Sequence, residues 1–177
     1  MNILNLYLFT EVTNESVKPI IEKVIELNSS VASNDKVSKS VDVPQIINIF
    51  INSEGGSVLD AFALVDIILH SKIPVNTYAV GLCCSAATLI YLAGRKRYAY
   101  KHTTFIFHPT SASIESANPQ NIEEYDKWLK ILNNWEIELY NKTTEYEWLE
   151  SVLTKNIERR ITTEDAKRLH IVTDIIE

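Results

Sequence analysis

Between Ile46 and Leu92 an apolar run stops twice at glycine and gives way to a helical pattern, and few folds admit that order more than once. Ile46 to Ile51 is rich in β-branched residues and leads into Asn52-Ser53-Glu54-Gly55-Gly56. Apolar residues then return at helical spacing through Val58, Phe62, Val65 and Leu69. Val75 to Val80 reads as a second strand, Gly81 is expected to break it, and Ser85 opens the apolar helix Ala86 to Leu92. Strands and helices alternating this closely form βαβ units, hence an α/β fold on a parallel sheet with right-handed crossovers. Both turns carry a strand end to a helix start, where backbone N–H groups lack partners.

That geometry has a chemical use. A helix start offers unpaired donors and partial positive charge, and a glycine beside it permits close approach, so a developing oxyanion could be held at Gly56. Ser85 would stand beside it as a nucleophile. Either motif alone also fits a serine capping an ordinary helix and a Gly-Gly pair turning a corner. Taken together they weigh more toward a nucleophile beside an oxyanion hole than either does alone.

These residues carry a family resemblance. Ile51-Asn52-Ser53-Glu54-Gly55-Gly56-Ser57-Val58 resembles the Asn-Ser-Pro-Gly-Gly-Ser-Val turn of ClpP, the proteolytic-subunit family of the ATP-dependent caseinolytic protease, with Glu54 where proline is usual. Gly81-Leu82-Cys83-Cys84-Ser85-Ala86 resembles the segment bearing that family's nucleophilic serine, with two cysteines in place of small residues. No gap is needed between Gly56 and Ser85. Thr104-Phe105-Ile106-Phe107-His108-Pro109 resembles the strand that delivers the catalytic histidine. The resemblance covers nearly the whole chain, weakly in the first forty-odd residues. It implies a ClpP/crotonase-like fold of stacked βαβ units with a long protruding handle helix.

The third catalytic position departs most from the pattern. By resemblance, Glu158 falls where the family has aspartate, and Asp165 falls on the helical acid that precedes Ala166. A glutamate can orient and charge-stabilise a histidine, but its extra methylene requires the backbone to sit further back. The alternative for Glu158, beside Arg159 and Arg160, is solvated surface charge. His70, His102 and His170 have no sequence partner that marks them; His170 stands where the family has glycine before its last strand, a change that either bends the strand or is tolerated.

Composition fits a single domain over residues 1–177, which the resemblance divides into a head of about 1–117 and 157–177 and a handle of about 118–156. The chain is 46% hydrophobic, enough for a substantial core. Its net charge of −6, from 17 Lys+Arg against 23 Asp+Glu, argues against nucleic acid as a main partner. No apolar run reaches membrane-spanning length, and MNILNLYLFTEV lacks a basic region and a cleavage site, so a cytoplasmic location is expected. The adjacent Cys83 and Cys84 suit a reducing compartment better than a structural disulfide or a zinc site.

In chain order, Ile3 to Phe9 reads as a strand and Val17 to Leu27 as a helix with one apolar face. Asn28 to Val43, rich in Ser, Asn, Asp and Lys, reads as a surface loop. Tyr98 to Tyr100 and Thr103 to Phe107 are short strands. Ile122 to about Tyr140 is a long helix whose stripe of Trp128, Ile131, Leu132, Trp135 and Leu139 packs either on its own sheet or, as the resemblance implies, on a second ring. Trp148 to Asn156 reads as another short helix.

What the resemblance implies is a serine endopeptidase cleaving unfolded polypeptides and short peptides inside an oligomeric chamber. Its catalytic residues would be Ser85, His108 and Glu158, with an oxyanion hole at Gly56 and Ala86. Gly55, Gly56, Ser57 and Val58 would pair with the substrate main chain. Neither metal nor cofactor is required. Partners would be the chain itself, in heptameric rings stacked as a tetradecamer, and an AAA+ unfoldase. Only Met1 to Asn5 precede the first strand core, which leads to the expectation of a wide or differently gated pore and weak docking to a conventional ATPase. Two alternatives stand beside this: a catalytically weak or inactive ring subunit, and an acyl-CoA enzyme of the crotonase type.

Overall fold

The computed structural model describes residues 2–32, 43–110, 119–143 and 157–177. The expected short helix at Trp148 to Asn156 lies outside them. Five parallel strands lie side by side in the order β1 (Ile3–Leu8), β2 (Ile46–Ser53), β3 (Val75–Cys84), β4 (Arg97–Tyr100) and β7 (Asp174–Ile176). The sheet forks at β3. Its first half, Thr77 to Ala79, pairs with β4, whereas Leu82 to Cys84 pairs in parallel with β5 (Thr104–Phe107). β6 (Arg159–Thr162) then lies antiparallel along β5.

A bulge makes the fork. Ile51 pairs with Ala79 but Ser53 with Cys83, so the two steps on β2 face four on β3. Gly81 sits in this extra length at φ 73°, and the Asn52 side-chain oxygen accepts the Leu82 N–H at 3.2 Å. Gly81 therefore does not end the strand, as its glycine suggested; it turns β3 from one neighbour to the other.

Period-two alternation sorts the strands' side chains. Leu8, Ile47, Ile49, Ile51, Val75 and Ala79 are buried in the core with α1 (Asn14–Ala32), α2 (Val58–Leu69) and α3 (Ala86–Leu92). The other face carries two rows across the strands. Asn5, Asn48 and Asn76 stand in register with side chains linked at 3.1 and 3.5 Å. Beside them Tyr7, Phe50, Tyr78 and Tyr98 stack, with ring centroids 5.6, 4.6 and 4.7 Å apart.

α1 is longer at both ends than the apolar pattern indicated. Thr13 and Ser16 cap each other: the Ser16 N–H donates to Thr13 Oγ1 at 3.3 Å and the Thr13 N–H to Ser16 Oγ at 2.9 Å, so the helix opens at Asn14. At the far end the hydroxyls of Ser29 and Ser30 donate to the carbonyls of Ile25 and Glu26, one turn back, which keeps the expected loop helical as far as Ala32.

α4 (Pro119–Thr143) is the long helix. Between Ile122 and Ile131 none of its residues is buried, while Leu132, Glu136, Leu139 and Tyr140 are, and Tyr140 meets Phe107 edge-on. The stripe therefore splits: Leu132 and Leu139 are buried, Leu139 within the core, and Trp128, Ile131 and Trp135 stay exposed. After β6, α5 (Thr163–Arg168) leads to His170, which takes φ 58° in place of a glycine. Its carbonyl accepts from Arg97 at 3.0 Å, so the corner into β7 is tolerated and braced. No helix among the described residues is long and apolar enough to cross a membrane.

Candidate active site

Ser85 follows directly on β3 and precedes α3, and it is strained at φ 55°, ψ −129°. Its backbone is fixed from both sides: the N–H donates to the Ile106 carbonyl at 2.9 Å, and its carbonyl accepts from the Thr88 N–H at 2.8 Å and hydroxyl at 2.7 Å. The Ser85 side chain makes no cap hydrogen bond to the helix. A serine serving only as a cap would spend its hydroxyl there; this one keeps it available.

The glycine turn lies against it. A Cβ on Gly55 would fall 2.6 Å from Ser85 Cβ and 3.1 Å from the Ala86 nitrogen, so only glycine allows the approach. Gly55 N–H is tied to Ser53 Oγ at 3.1 Å. Val12 uses much of the remaining main chain, donating to the Gly55 carbonyl at 2.7 Å and accepting from the Ser57 N–H at 2.8 Å. Gly56, bridged to Val12 in parallel, points its own N–H and C=O away from that strand. Neither group, nor the Ala86 N–H, is hydrogen-bonded among the described residues. Of the stretch expected to pair with substrate, Gly56 keeps an open edge. Ser57 instead caps α2, accepting the Asp60 N–H at 3.2 Å, and Val58 is the first residue of that helix.

Strand register brings the other two residues alongside. Cys84 pairs with Ile106, two residues before His108, and Phe107 pairs with Arg159, so His108 and Glu158 each lie one residue beyond the last pair of that ladder. Half-buried His108 holds the Pro109 carbonyl through Nδ1 at 2.8 Å. A carbonyl only accepts, so Nδ1 carries the proton and Nε2 presents its lone pair. Glu158 is exposed and accepts from Arg160 Nε at 2.9 Å. In this arrangement the imidazole is held by a backbone carbonyl, and the glutamate by an arginine.

The surroundings are electronegative. Burial first, then Glu158 and Glu54, push the Cys84 thiol up against the opposing pull of Arg160, so this neighbour of Ser85 stays a thiol at neutral pH. Asp165 is committed elsewhere. The Thr162 hydroxyl and N–H and Arg168 hold its carboxyl below the usual range, and with Thr162 it closes the capping box of α5. Among the described residues no group of three His, Cys, Asp or Glu side chains is arranged to hold a metal ion.

Sequence reasoning missed what stands behind His108. The Thr110 N–H donates to Asn133 Oδ1 at 3.1 Å, and its hydroxyl donates to Glu136, which is 3% exposed. The signal was there to read: Glu136 lies four residues after Leu132 and three before Leu139, inside the apolar stripe.

The Clp protease family profile matches residues 5–177, and the chain belongs to that family. It is 34% identical over 85 residues to the ATP-dependent Clp protease proteolytic subunit of Pleurastrum terricola, covering 47% of this chain and 43% of that protein. With the subunit of the same name from Cuscuta gronovii it shares 32% over 124 residues, 68% of this chain and 61% of the relative. With that of Deinococcus radiodurans it shares 25% over 156 residues, 86% and 75% of the respective chains. The chain thus spans about two fifths to three fifths of the first two relatives. A solved ClpP1 mutant from Listeria monocytogenes superposes with a TM-score of 0.78 at 25% identity, over 98% of this chain and 91% of that one.

Proposed function

We propose that this protein is a serine endopeptidase of the Clp type. The observation that carries the reading is Ser85: a strained serine at a strand-to-helix turn, with its hydroxyl unspent and two unused N–H groups, of Gly56 and Ala86, beside it. His108 Nε2 takes the Ser85 proton as Oγ bonds to the scissile carbonyl carbon. The carbonyl oxygen becomes an oxyanion held by those N–H groups, and collapse breaks the C–N bond as the imidazolium returns the proton to the leaving amine. Water, deprotonated by the same imidazole, then releases the acyl group. Gly56 pairs with the main chain of an extended substrate, which gives low side-chain selectivity.

In this reading the substrates are unfolded polypeptides and short peptides, and selection comes from enclosure in stacked heptameric rings fed by an AAA+ unfoldase, in the cytoplasm. One domain, residues 1–177, provides both the site and the handle. The chain assembles with itself and takes no cofactor.

The test is substitution at the dyad. Ser85→Ala is expected to lower peptide hydrolysis by a factor on the order of 10⁴ to 10⁶ with folding intact, and His108→Ala comparably. Turnover near the wild-type rate in both would overturn the assignment. A second reading, a catalytically weak ring subunit, is favoured by the pairing of Glu158 with Arg160 instead of His108. A serine-directed fluorophosphonate separates the two, because only an activated serine is labelled.

A further inference from the structure

Thr110 lies two residues past His108, and it is the last described residue before α4. Both of its polar groups that can reach the helix are taken by it: the N–H by Asn133 at 3.1 Å and the hydroxyl by Glu136. Asn133 and Glu136 are three apart and so share a helix face. Between Thr110 and His108 stands only Pro109, whose ring fixes its own φ and whose carbonyl orients the imidazole at 2.8 Å. A shift at Thr110 is therefore passed to the carbonyl that sets the tautomer and direction of His108.

We infer that Asn133 and Glu136 of α4 are positioning residues for the reaction, which hold His108 in its working orientation by clamping Thr110. This rests on the reading of Ser85 and His108 as the catalytic pair and adds a dependence of that pair on the long helix.

Glu136 is a costly residue for mere packing. A buried carboxyl without a cation loses solvation that one hydroxyl replaces only in part, and no ion pair joins Glu136 to a basic side chain among the described residues. Among the described residues Glu136 acts on Tyr140, one turn further along α4, as does Cys83 of β3, and Thr88 of α3 hydrogen-bonds Tyr140. Burial raises Glu136 to about 7, with the Thr110 hydroxyl pulling the other way. The ionised carboxylate makes the stronger, charge-assisted bond to Thr110. The clamp therefore tightens as pH rises through neutrality.

The experiment is steady-state hydrolysis of a short fluorogenic peptide by the full chain in its assembled state, between pH 5.5 and 8.5, about the midpoint set by Glu136. Thr110→Val keeps the shape and the bond to Asn133 but removes the hydroxyl. It and Glu136→Leu are expected to lower kcat by roughly 10- to 100-fold with KM little changed, since orientation acts on the transition state. The double variant should be no slower than the worse single one, because both remove the same bond. Glu136→Gln keeps an acceptor, so it should retain most of the rate at neutral pH and lose one ionisation from the acid limb of the profile. If Glu136→Leu fails to fold, Thr110→Val and Glu136→Gln still decide. Wild-type kcat in Thr110→Val, or an unaltered pH profile in Glu136→Gln, overturns this inference alone when Ser85→Ala is inactive. Turnover that persists in Ser85→Ala overturns the catalytic reading, and this inference with it.

Discussion

Glu158 is held by Arg160, and the proposed mechanism asks it to serve His108. Both residues lie just beyond the last pair of the β5–β6 ladder, yet Arg160 holds Glu158 at 2.9 Å, an exposed ion pair of the sort worth about 0 to 1 kcal/mol. Under the proposed mechanism a pair that weak costs little when the carboxylate turns to a forming imidazolium. Arg160→Gln is accordingly expected to raise kcat, by no more than about fivefold, the equivalent of that energy. Glu158→Gln removes the charge but not the tautomer, because the Pro109 carbonyl already holds Nδ1. The expected loss is about 10- to 100-fold, short of the ~10⁴ seen when a triad acid also sets the tautomer. Unchanged peptide hydrolysis in Glu158→Gln would remove it from the reaction. Ser85 and His108 were candidates through the family resemblance, and the structure places each just after a strand, as that resemblance implied. Pro109 was not, because a backbone carbonyl does its work without any residue-type signal.

The helices and the last strand show where local chemistry outvotes pattern. The apolar periodicity of α1 begins at Val17, but the reciprocal cap of Thr13 and Ser16 starts the helix at Asn14. A polar serine pair that reads as loop stays helical because both hydroxyls fold back on carbonyls. Gly81 was read as a terminator from its residue type; that it bends a continuing strand depends on Asn52, which accepts from Leu82 across 30 positions of sequence. The turn into β7 offers a stability test. His170 holds φ 58°, a conformation that costs a side-chain-bearing residue about 1 to 2 kcal/mol. His170→Gly is expected to regain part of that, a rise in Tm of roughly 2 to 4 °C per kcal/mol by calorimetry. A lower Tm would mean that the imidazole itself braces the corner. In α4, Glu136 gives stability a pH dependence of known sign. Its folded value of about 7 lies above the ordinary 4.5, so the folded state binds the proton more tightly. That contribution, up to about 3 kcal/mol, is fully present below the ordinary value and is lost as pH rises through 7. Urea unfolding of Glu136→Gln should show a flatter stability profile across this window than the wild type.

At the scale of the molecule the question is what α4 does with the side it does not bury. Trp128, Ile131 and Trp135 are 37%, 42% and 40% exposed, although Leu132 and Leu139 of the same stripe are buried. The two tryptophans meet edge-on at 5.7 Å, and Trp135 meets Phe62 of α2 in the same way, so the open residues form one continuous apolar surface. A single chain gains nothing by showing water three large side chains at helical spacing, and a patch of this kind marks an interface. The sequence showed the stripe but not its division, because periodicity reports which residues share a face and not how far along the helix the body reaches. Under the proposed assembly the exposed half packs on a second ring while the buried half carries the clamp on Thr110, which ties ring pairing to the active site through one helix. Wild-type protein at micromolar concentration should therefore sediment as a large homo-oligomer, and Trp128→Glu with Ile131→Glu should yield smaller species. Because Asn133 and Glu136 lie within two turns of Ile131, loss of pairing should also lower kcat for a short peptide that needs no unfolding. Sedimentation velocity and peptide hydrolysis on the same samples check both halves: a wild-type monomer would refute the assembly, and dissociated rings with full kcat would refute the link.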